Sequence, residues 1–315
     1  MNQRKPRIGL ALGSGAARGW SHIGVIRALE EAGIVPEVVC GTSVGAIVGG
    51  AYAAGELDRF ETWVQGVTWK SVVGMLDIKM GGGLIEGSKL VEFFRSRFDD
   101  PGIAGLQKTF ACVATDLVNG REVWLREGPL IESVRASIAL PGLFTPAVLD
   151  GRLLVDGGLV NPVPVSLCRA LGADFVIAVD LNWNLVGRRN RVSGESRTER
   201  REEAEAAIEA EQPAAKRGIM EAVLARFRPN LFANSEARAA GTPSMLDVLT
   251  TSLNIMQVRI TESRLAGEPA DAMIRPRLSD VAAMDFHRAA GSITEGRRAA
   301  EYALPMIHEQ LAAYR

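Results

Sequence analysis

The sequence predicts an α/β fold in which a mainly parallel central sheet is covered by helices on both faces. Two observations support this prediction: strands alternate with helices through the first half of the chain, and the strand at residues 175–180 is apolar almost throughout. Alternation of this kind is typical of parallel sheets, and such an apolar strand is typical of a sheet buried on both faces. Of the 315 residues, 47% are hydrophobic and 23% charged, which excludes a mainly disordered chain.

The individual elements follow from apolar periodicity and from the turns that bound them. A short apolar run predicts the first strand at residues 7–12. Apolar residues then recur at helical spacing from Trp20 to Leu29, and Gly33 follows in the usual position after a helix, which predicts a helix at residues 20–32. The further strands are predicted at residues 38–40, 110–115, 122–125, 153–155 and 175–180, and the further helices at residues 44–54, 129–139 and 163–171.

The composition changes after the last of these strands. Between Arg188 and Arg228 there are ten Arg/Lys and eight Glu, so 18 of 41 residues are charged, against 23% in the whole chain. Apolar residues at helical spacing return further on, up to the C-terminus. We therefore predict one domain in three parts. These are a core at residues 7–182, a charged, partly helical or mobile insertion at residues 186–241, and a helical C-terminal segment at residues 242–315 that packs on the core.

Charge, hydropathy and cysteine content limit the partners and the compartment. Lys+Arg 36 against Asp+Glu 37 gives a net charge of −1, so we expect no nucleic-acid partner. No apolar run reaches the ~18–20 residues of a membrane span. The apolar run behind the basic N-terminus is shorter than the ~7–15 residues of a signal-peptide core. Cys40, Cys112 and Cys168 are widely spaced and form no metal or disulfide pattern. The sequence predicts a cytoplasmic protein with reduced thiols and no metal.

The sharpest chemical signal is a G-x-S-x-G motif, Gly41-Thr42-Ser43-Val44-Gly45, between a predicted strand and a predicted helix. A nucleophile elbow requires this context, because its turn is so tight that glycines must flank the serine. The serine Oγ then projects above the sheet at a helix N-terminus. A turn of small residues without catalytic function is the alternative. The position between strand and helix favours Ser43 as a nucleophile, with Gly41 and Gly45 forming the elbow.

A second turn of small residues follows the first strand and leads into the first helix. Such a loop exposes backbone N–H groups that can hold an anion. Dinucleotide binding is one interpretation, but Arg18 occupies the last glycine position of G-x-G-x-x-G and no acidic residue ends the second strand. An oxyanion hole is favoured, because this loop and Ser43 follow successive strands and should emerge at the same edge of the sheet. The candidate oxyanion residues are Gly13, Ser14, Gly15, Ala16, Ala17, Arg18 and Gly19.

A nucleophilic serine needs a base, and the chain contains three histidines. His22 lies in the first predicted helix among apolar residues, where a structural role is favoured over catalysis. His287 and His308 lie in C-terminal helical segments, with no loop that would bring either of them to Ser43. A Ser–His pair is therefore not the arrangement that this sequence favours.

Asp156 is the better candidate for the base. It ends an apolar strand, and Gly157 and Gly158 follow it, so that the chain can approach closely at this point. A simple Asp-Gly turn is the alternative for this feature taken alone.

The three elements in this order resemble the patatin-like phospholipase family. In that family a glycine-rich oxyanion loop, a G-x-S-x-G serine and a D-G-[GA] aspartate form a Ser–Asp dyad without histidine. Further stretches are similar to family blocks, so the resemblance covers about residues 7–182. These stretches are Arg18-Gly19-Trp20-Ser21-His22-Ile23-Gly24-Val25, Ala136-Ser137-Ile138-Ala139-Leu140-Pro141-Gly142 and Asn161-Pro162. The chain resembles in particular the bacterial branch that is related to neuropathy target esterase.

The resemblance implies a three-layer α/β/α patatin-like fold and assigns roles to the candidate residues. Ser43 is the nucleophile, Asp156 is its general base, and Gly15 and Ala16 are the main backbone donors. The implied reaction is hydrolysis of the acyl ester of a phospholipid, a lysophospholipid or another lipid through an acyl-enzyme, with no cofactor. A lipid substrate also implies peripheral contact with a membrane.

One departure from the family pattern concerns the oxyanion loop, which is usually richer in glycine. Ser14 and Ala16 replace two of those glycines here. The backbone donors survive such changes where the dihedral angles stay allowed. A regulatory or lipid-binding protein that keeps the fold is the alternative function, although it would not need to retain nucleophile, base and donors together.

Overall fold

A computed structural model describes residues 5–68, 87–97, 100–185 and 245–314. By its internal contacts the chain divides into two compact units, Met1–Asn184 with Met256–Arg315, and Leu185–Ile255. The sheet and the candidate site lie in the first unit. The predicted insertion at residues 186–241 lies outside the described residues.

The described ranges contain the following elements. The strands are β1 (Ile8–Leu12), β2 (Val38–Thr42), β3 (Thr109–Asp116), β4 (Glu122–Leu125), β5 (Ala147–Leu149), β6 (Arg152–Asp156), β7 (Phe175–Val179) and β8 (Ala272–Ile274). The helices are α1 (Ser21–Glu31), α2 (Val44–Ala53), α3 (Leu57–Gln65), α4 (Ser88–Arg97), α5 (Leu130–Ser137), α6 (Val165–Ala170), α7 (Met245–Gly267) and α8 (Ala289–Ala313). Short 3₁₀ turns lie at Ala16–Trp20, Ile103–Gly105 and Gly157–Leu159.

All eight described strands belong to one sheet, in the order β5-β6-β3-β2-β1-β7-β8, with β4 paired to β3. The run from β3 to β8 is parallel, whereas β4 and β6 pair with β3 in the antiparallel sense and β5 pairs with β6 in the same way. The side chains of β2 and β7 are buried at every position, as expected for strands covered on both faces. The mainly parallel sheet predicted from the sequence is confirmed.

Helices cover both faces of the sheet. Leu10 and Leu12 of β1 lie in a core with Ile23 and Ile26 of α1. Ala11, between them, belongs to the core of the opposite face, together with residues of α6. Because neighbouring side chains of a strand point to opposite faces, this distribution gives three layers, α/β/α. The predicted layer architecture is confirmed.

The C-terminal helix α8 packs against α1 at very short range. A Cβ on Gly24 of α1 would overlap the backbone of Ile293, and a Cβ on Gly296 of α8 would overlap the backbone of Ser21. The two helices can approach this closely only because glycines stand at both points. α8 thus contributes to the same core as the sheet, with Ala300, Ala303 and Ile307 buried.

Four described elements were not predicted from the sequence. The strands β5 and β8 have only three residues each and lie at the two ends of the sheet order, so they carry little periodic signal. Helix α3 had a readable signal, because Leu57, Phe60 and Val64 are its buried residues at helical spacing. Helix α4 was also missed. Within the described ranges, no helix combines the length and the apolar content that a bilayer crossing requires.

Candidate active site

The pairing of β3 brings Ser43 and Asp156 together. Val113 and Ala114 are consecutive residues of β3, and they pair with Thr42 of β2 and with Asp156 of β6 respectively. Strand β6 therefore continues the line of β2 beyond its end, and Asp156 lies next to the residue that follows Thr42. That residue is Ser43, whose Oγ donates a hydrogen bond to Asp156 Oδ2 at 2.6 Å.

The backbone at Ser43 is strained, as a nucleophile elbow requires. Its φ of 57° and ψ of −125° lie in a region that side chains rarely adopt, at a cost of roughly 1–3 kcal/mol. The flanking glycines allow the turn: a Cβ on Gly41 would overlap the backbone of Gly45, and one on Gly45 would overlap Leu12 O. Ser137 Oγ accepts a hydrogen bond from Ser43 N at 3.0 Å and so holds the strained peptide in place.

Hydrogen bonds hold both the backbone and the carboxylate of Asp156 in place. Its backbone N–H donates to Ala139 O at 3.0 Å, and its carbonyl oxygen accepts from Thr115 Oγ1 at 2.8 Å. Oδ1 accepts from Gly158 N at 2.7 Å, which leaves Oδ2 for Ser43. Gly157 lies so close to β3 that a Cβ would overlap Val113 O, so only glycine fits here.

Burial determines the protonation of Asp156. The side chain is 1% exposed, and this desolvation raises the pKa of Asp156 to about 6, although the hydrogen bonds from Ser43 and Gly158 act in the opposite direction. The carboxyl group is therefore mainly ionised at neutral pH, yet only about one unit from its pKa. A general base of this strength can accept a proton and return it during one turnover.

Hydrogen bonds and close packing hold most of the loop at residues 13–19, which the sequence predicts to form an oxyanion hole and which we call the oxyanion loop. Gly13 N donates to Val179 O at 3.1 Å and Ser14 N to Pro162 O at 2.8 Å. Ala17 N donates to Ala283 O and Arg18 N to Gly15 O. Gly19 packs so tightly on Val44 that a Cβ would overlap its side chain.

Two backbone donors of the oxyanion loop differ from the rest. The N–H groups of Gly15 and Ala16 have no hydrogen-bond acceptor within the described residues. Ala16 has a φ of 50°, a left-handed conformation that a non-glycine residue adopts at a cost of roughly 1–2 kcal/mol. A fixed loop with two unpaired N–H donors is the arrangement that stabilises a developing oxyanion.

His22 has a structural contact with the same loop. Its Nε2 lies 2.8 Å from Gly13 O, and complete burial lowers the pKa of His22 to about 4. The ring is therefore neutral at pH 7, and its one N–H must be on Nε2 to donate to Gly13 O. Neither Ser43 nor Asp156 has a hydrogen bond to a histidine within the described residues. Those residues also contain no cluster of His, Cys, Asp and Glu that could hold a metal.

An apolar pocket of about 60 Å³ lies beside the elbow, between α2, α4 and α5. Ile47 lines it one helical turn beyond Ser43, and Ile138 lines it directly after Ser137. The pocket extends along α2 to Ala54. Its remaining walls are mostly aliphatic and aromatic side chains, among them Phe60, Val91, Phe94, Leu130, Ile131 and Val134.

Exposed apolar side chains lie at the carboxyl end of β3, which is the same end of the sheet at which Ser43 follows β2. Val148 pairs with Leu153 across β5 and β6, and Leu117 N donates to Leu153 O at 2.8 Å, which places three apolar side chains in a row. Val118 follows Leu117 in the turn and is 81% exposed. We call Leu117, Val118, Val148 and Leu153 the apolar edge.

Several residues of the site were not found from the sequence. Ser137 lies in a block that gives it no role of its own, and no motif singles out Thr115, Asn182 or Gln257. Ser137 and Thr115 are small polar residues in apolar segments, a signal that could have identified them. Asn182 and Gln257 are 168 and 243 residues from Ser14, which they contact, so no local pattern could have connected them.

Comparison with known proteins agrees with this architecture. The patatin-like phospholipase family model matches residues 10–169, which include both loops and Asp156. An uncharacterized NTE family protein of Mycobacterium tuberculosis is 36% identical, over 90% of this chain and 87% of that protein. Patatin-like phospholipase domain-containing protein 6 of Homo sapiens is 37% identical, over 55% of this chain and 13% of its own length.

A lysophospholipase of Emericella nidulans is 33% identical, over 55% of this chain and 12% of its own length. The family model therefore matches half of this chain, in the order of motifs that the sequence predicted. The M. tuberculosis relative aligns with most of the remainder as well. From the matched motifs, the layered sheet and this extended similarity, we conclude that the chain belongs to the patatin-like phospholipase family.

Proposed function

We propose that this protein is a serine esterase that hydrolyses acyl esters of phospholipids or lysophospholipids with Ser43 as nucleophile and Asp156 as general base. The observation that supports this most directly is the 2.6 Å hydrogen bond from Ser43 Oγ to Asp156 Oδ2. The unpaired N–H groups of Gly15 and Ala16 at the same edge of the sheet add the donors that such a reaction needs.

In the first half of the reaction Ser43 Oγ attacks the ester carbonyl carbon, and its proton passes to Asp156 Oδ2. The carbonyl oxygen becomes an oxyanion that accepts hydrogen bonds from Gly15 N and Ala16 N. The tetrahedral intermediate then collapses, the C–O bond to the alcohol breaks, and the proton on Asp156 goes to the leaving alkoxide. The acyl group remains on Ser43 as an ester.

In the second half a water molecule replaces the alcohol. Asp156 accepts a proton from the water as its oxygen attacks the acyl-enzyme, and the same two N–H groups hold the new oxyanion. Collapse releases the carboxylic acid and returns the proton to Ser43. A carboxylate with its pKa near 6 suits both directions of this proton transfer.

The apolar pocket supports a lipid substrate, since it begins one helical turn from Ser43 and is lined mostly by aliphatic and aromatic side chains. We propose that it holds the acyl chain. The family to which the chain belongs is named for phospholipases, and one relative is named a lysophospholipase, which favours the same substrate class.

We further propose that the apolar edge rests on the surface of a bilayer that contains anionic lipid. Four exposed apolar side chains lie there beside the candidate site, and exposed Arg121 and Arg152 flank them. Apolar side chains favour the acyl boundary, and arginines near the surface are attracted to anionic head groups. The cytoplasmic location expected from the sequence stays a prediction.

Hydrolysis across a lipid panel tests the proposal. Wild-type protein and Ser43→Ala are compared on diacyl phospholipids, lysophospholipids and triacylglycerol, with release of fatty acid as the readout. We expect release from at least one phospholipid class by the wild type, and none above background by Ser43→Ala. Equal release above background by both proteins would contradict Ser43 as the nucleophile. No release by a folded wild type that binds the same lipids would favour the regulatory or lipid-binding alternative.

A further inference from the structure

A group of four buried polar side chains braces the oxyanion loop from behind. Ser14 Oγ donates to Gln257 Oε1 at 3.2 Å, and Asn182 Nδ2 donates to the same oxygen at 3.0 Å. Asn182 Nδ2 also lies 3.3 Å from Ser14 Oγ. Arg18 Nη2 donates to Asn182 Oδ1 at 3.2 Å, and Arg18 Nε donates to Gly15 O at 3.1 Å. We call Ser14, Arg18, Asn182 and Gln257 the brace.

The brace is sensitive to the loss of any member because all four side chains are at most 8% exposed. In such surroundings a polar group that loses its partner keeps its desolvation cost, so the remaining groups shift to satisfy it. Within the brace, the hydroxyl of Ser14 donates the hydrogen bond that joins the loop to α7. A glycine there would leave Gln257 without this contact.

Gln257 also reaches the other half of the site. A Cβ placed on Gly158 would lie 2.6 Å from Gln257 Nε2 and 3.0 Å from Asp156 Oδ1. The amide nitrogen and the carboxylate oxygen therefore both border the space that Gly158 leaves without a side chain. One side of the Gln257 amide contacts the oxyanion loop, and the other side borders Asp156 and the glycine that follows it.

We propose that Gln257 is a positioning residue that sets the distance between the oxyanion donors and the Ser43–Asp156 pair. It comes from α7, outside the residues 10–169 that the family model matches. Its carbonyl oxygen fixes the loop through Ser14, and its N–H₂ group borders the carboxylate. This inference rests on the proposed function for its catalytic meaning, whereas its effect on the loop does not depend on that function.

The test compares Gln257→Ala with Thr261→Val. Thr261 lies one turn further along α7, is 4% exposed, and its Oγ1 has no hydrogen bond within the described residues, so it is a matched control. On a soluble short-chain ester, we expect Gln257→Ala to lower kcat roughly 10- to 100-fold with KM within about twofold, because donors displaced by a fraction of an ångström stabilise the oxyanion less. Thr261→Val should stay within about twofold of wild type in both constants.

Gln257→Glu separates a positioning role from a merely structural one. It keeps the length of the side chain but places a carboxyl group beside Asp156, and coupled carboxyl groups titrate at raised apparent pKa values. We expect the midpoint of the kcat/KM profile to move up by about one pH unit. A lower kcat with an unchanged midpoint would mean that Gln257 does not border the reacting carboxylate, and would overturn that part of the inference.

Hydrogen–deuterium exchange tests the brace without reference to activity. We expect the amides of residues 13–19 to exchange at least tenfold faster in Gln257→Ala than in Thr261→Val, because the loop loses its side-chain anchor. If Gln257→Ala does not fold, Gln257→Met, which keeps the length of the side chain but removes its amide group, is measured in its place. Equal exchange in these variants overturns the inference, whatever the activity. If residues 13–19 exchange faster in Gln257→Ala but the wild-type protein hydrolyses no ester, the brace is retained and the proposed function is overturned.

Discussion

At the scale of single residues, the candidate site contains features that are unfavourable for folding and that a purely structural turn would not need. Ser43 occupies a strained backbone region, Ala16 is left-handed, and Asp156 is buried with a raised pKa. Each feature is unfavourable for folding, and each is useful for nucleophilic attack with oxyanion stabilisation. A reaction at Ser43 explains why these three features occur together at one edge of the sheet.

The first prediction concerns the pH dependence of activity. Because the ionised form of Asp156 is the base and burial raises its pKa to about 6, kcat/KM on a soluble ester should rise with pH through a midpoint near 6 and stay level above it. Initial rates between pH 4.5 and 8.5, with stability checked at each pH, measure this. His22 titrates near 4 and does not confuse the result. A midpoint near 8 would contradict Asp156 as the base.

The second prediction concerns stability. The pKa of Asp156 is higher in the folded protein, about 6, than its ordinary 3.8, so the folded state favours the protonated acid. Ionisation then lowers the free energy of unfolding as the pH rises from about 4 to about 6. Asp156→Asn has no such ionisation. Its stability relative to wild type should increase by on the order of 3 kcal/mol between pH 4 and pH 8, as measured by urea unfolding. A difference that does not change with pH would contradict the burial argument.

The residues of the site could be predicted only in part. Ser43, Asp156 and the oxyanion loop stand in short motifs whose spacing is visible in the sequence, and the structure brings Ser43 and Asp156 into contact. Gln257 stands in no such motif, and the block that contains Ser137 gives this residue no role of its own. Their role depends on contacts across 243 and 94 residues, which only the folded chain defines.

At the scale of elements, the predicted strands and helices of the core agree with the structure to within two residues at their ends. Their apolar runs are bounded by glycines and polar turns, which is the signal that periodicity detects best. The position of β6 beyond the end of β2 could not be predicted, because both strands pair with β3 and only its full length allows this. That placement is what brings Asp156 to Ser43.

The third prediction is that the side chains along α2 determine which acyl-chain lengths the pocket accepts. Gly50 and Ala54 line the apolar pocket, and a helix rises ~1.5 Å per residue, so Ala54 is ~6 Å further from Ser43 than Gly50. A Cβ on Gly50 would make ordinary contact with Leu130 at 3.4 Å, so Gly50→Leu can fill the pocket without a clash at Cβ. Gly50→Leu should keep hydrolysis of short-chain esters and lower kcat/KM on long-chain esters roughly tenfold or more.

Ala54→Leu is the matched control for Gly50→Leu. Because it fills the far end of the pocket, its cut-off should lie at a greater acyl length than the cut-off of Gly50→Leu. A series of esters that differ only in acyl length measures both cut-offs. Equal losses on short and long chains in Gly50→Leu, or the same cut-off in both variants, would contradict acyl binding in this pocket.

The fourth prediction concerns the apolar edge. Val118→Asp and Val148→Asp each place a charge where the proposal has apolar contact with lipid, so flotation with phosphatidylglycerol vesicles should fall several-fold. Val35→Asp is the matched control, since Val35 is also exposed but precedes β2, at the opposite edge of the sheet. It should float as the wild type does. Equal flotation of all variants would place the membrane contact elsewhere.

At the scale of the whole molecule, the parts that build the site extend beyond the residues 10–169 matched by the family model. β7 receives the hydrogen bond from Gly13, and Asn182 and Gln257 brace the oxyanion loop. α8 packs on α1, whose first turn supplies His22 to the same loop. The family and the layered fold could be recognised from motifs and apolar runs, whereas this cooperation of distant segments depends on the three-dimensional packing.

The central claim is that Ser43 is activated by Asp156. Labelling with a fluorophosphonate probe at pH 8 tests it most directly, because the probe reacts covalently only with an activated serine, and intact mass counts the labels. We predict one label per wild-type chain, on the peptide that contains Ser43, none on Ser43→Ala, and labelling of folded Asp156→Asn slower by roughly 100-fold or more. A folded wild type that takes no label, a label on another residue, or labelling of Asp156→Asn at the wild-type rate would contradict the account.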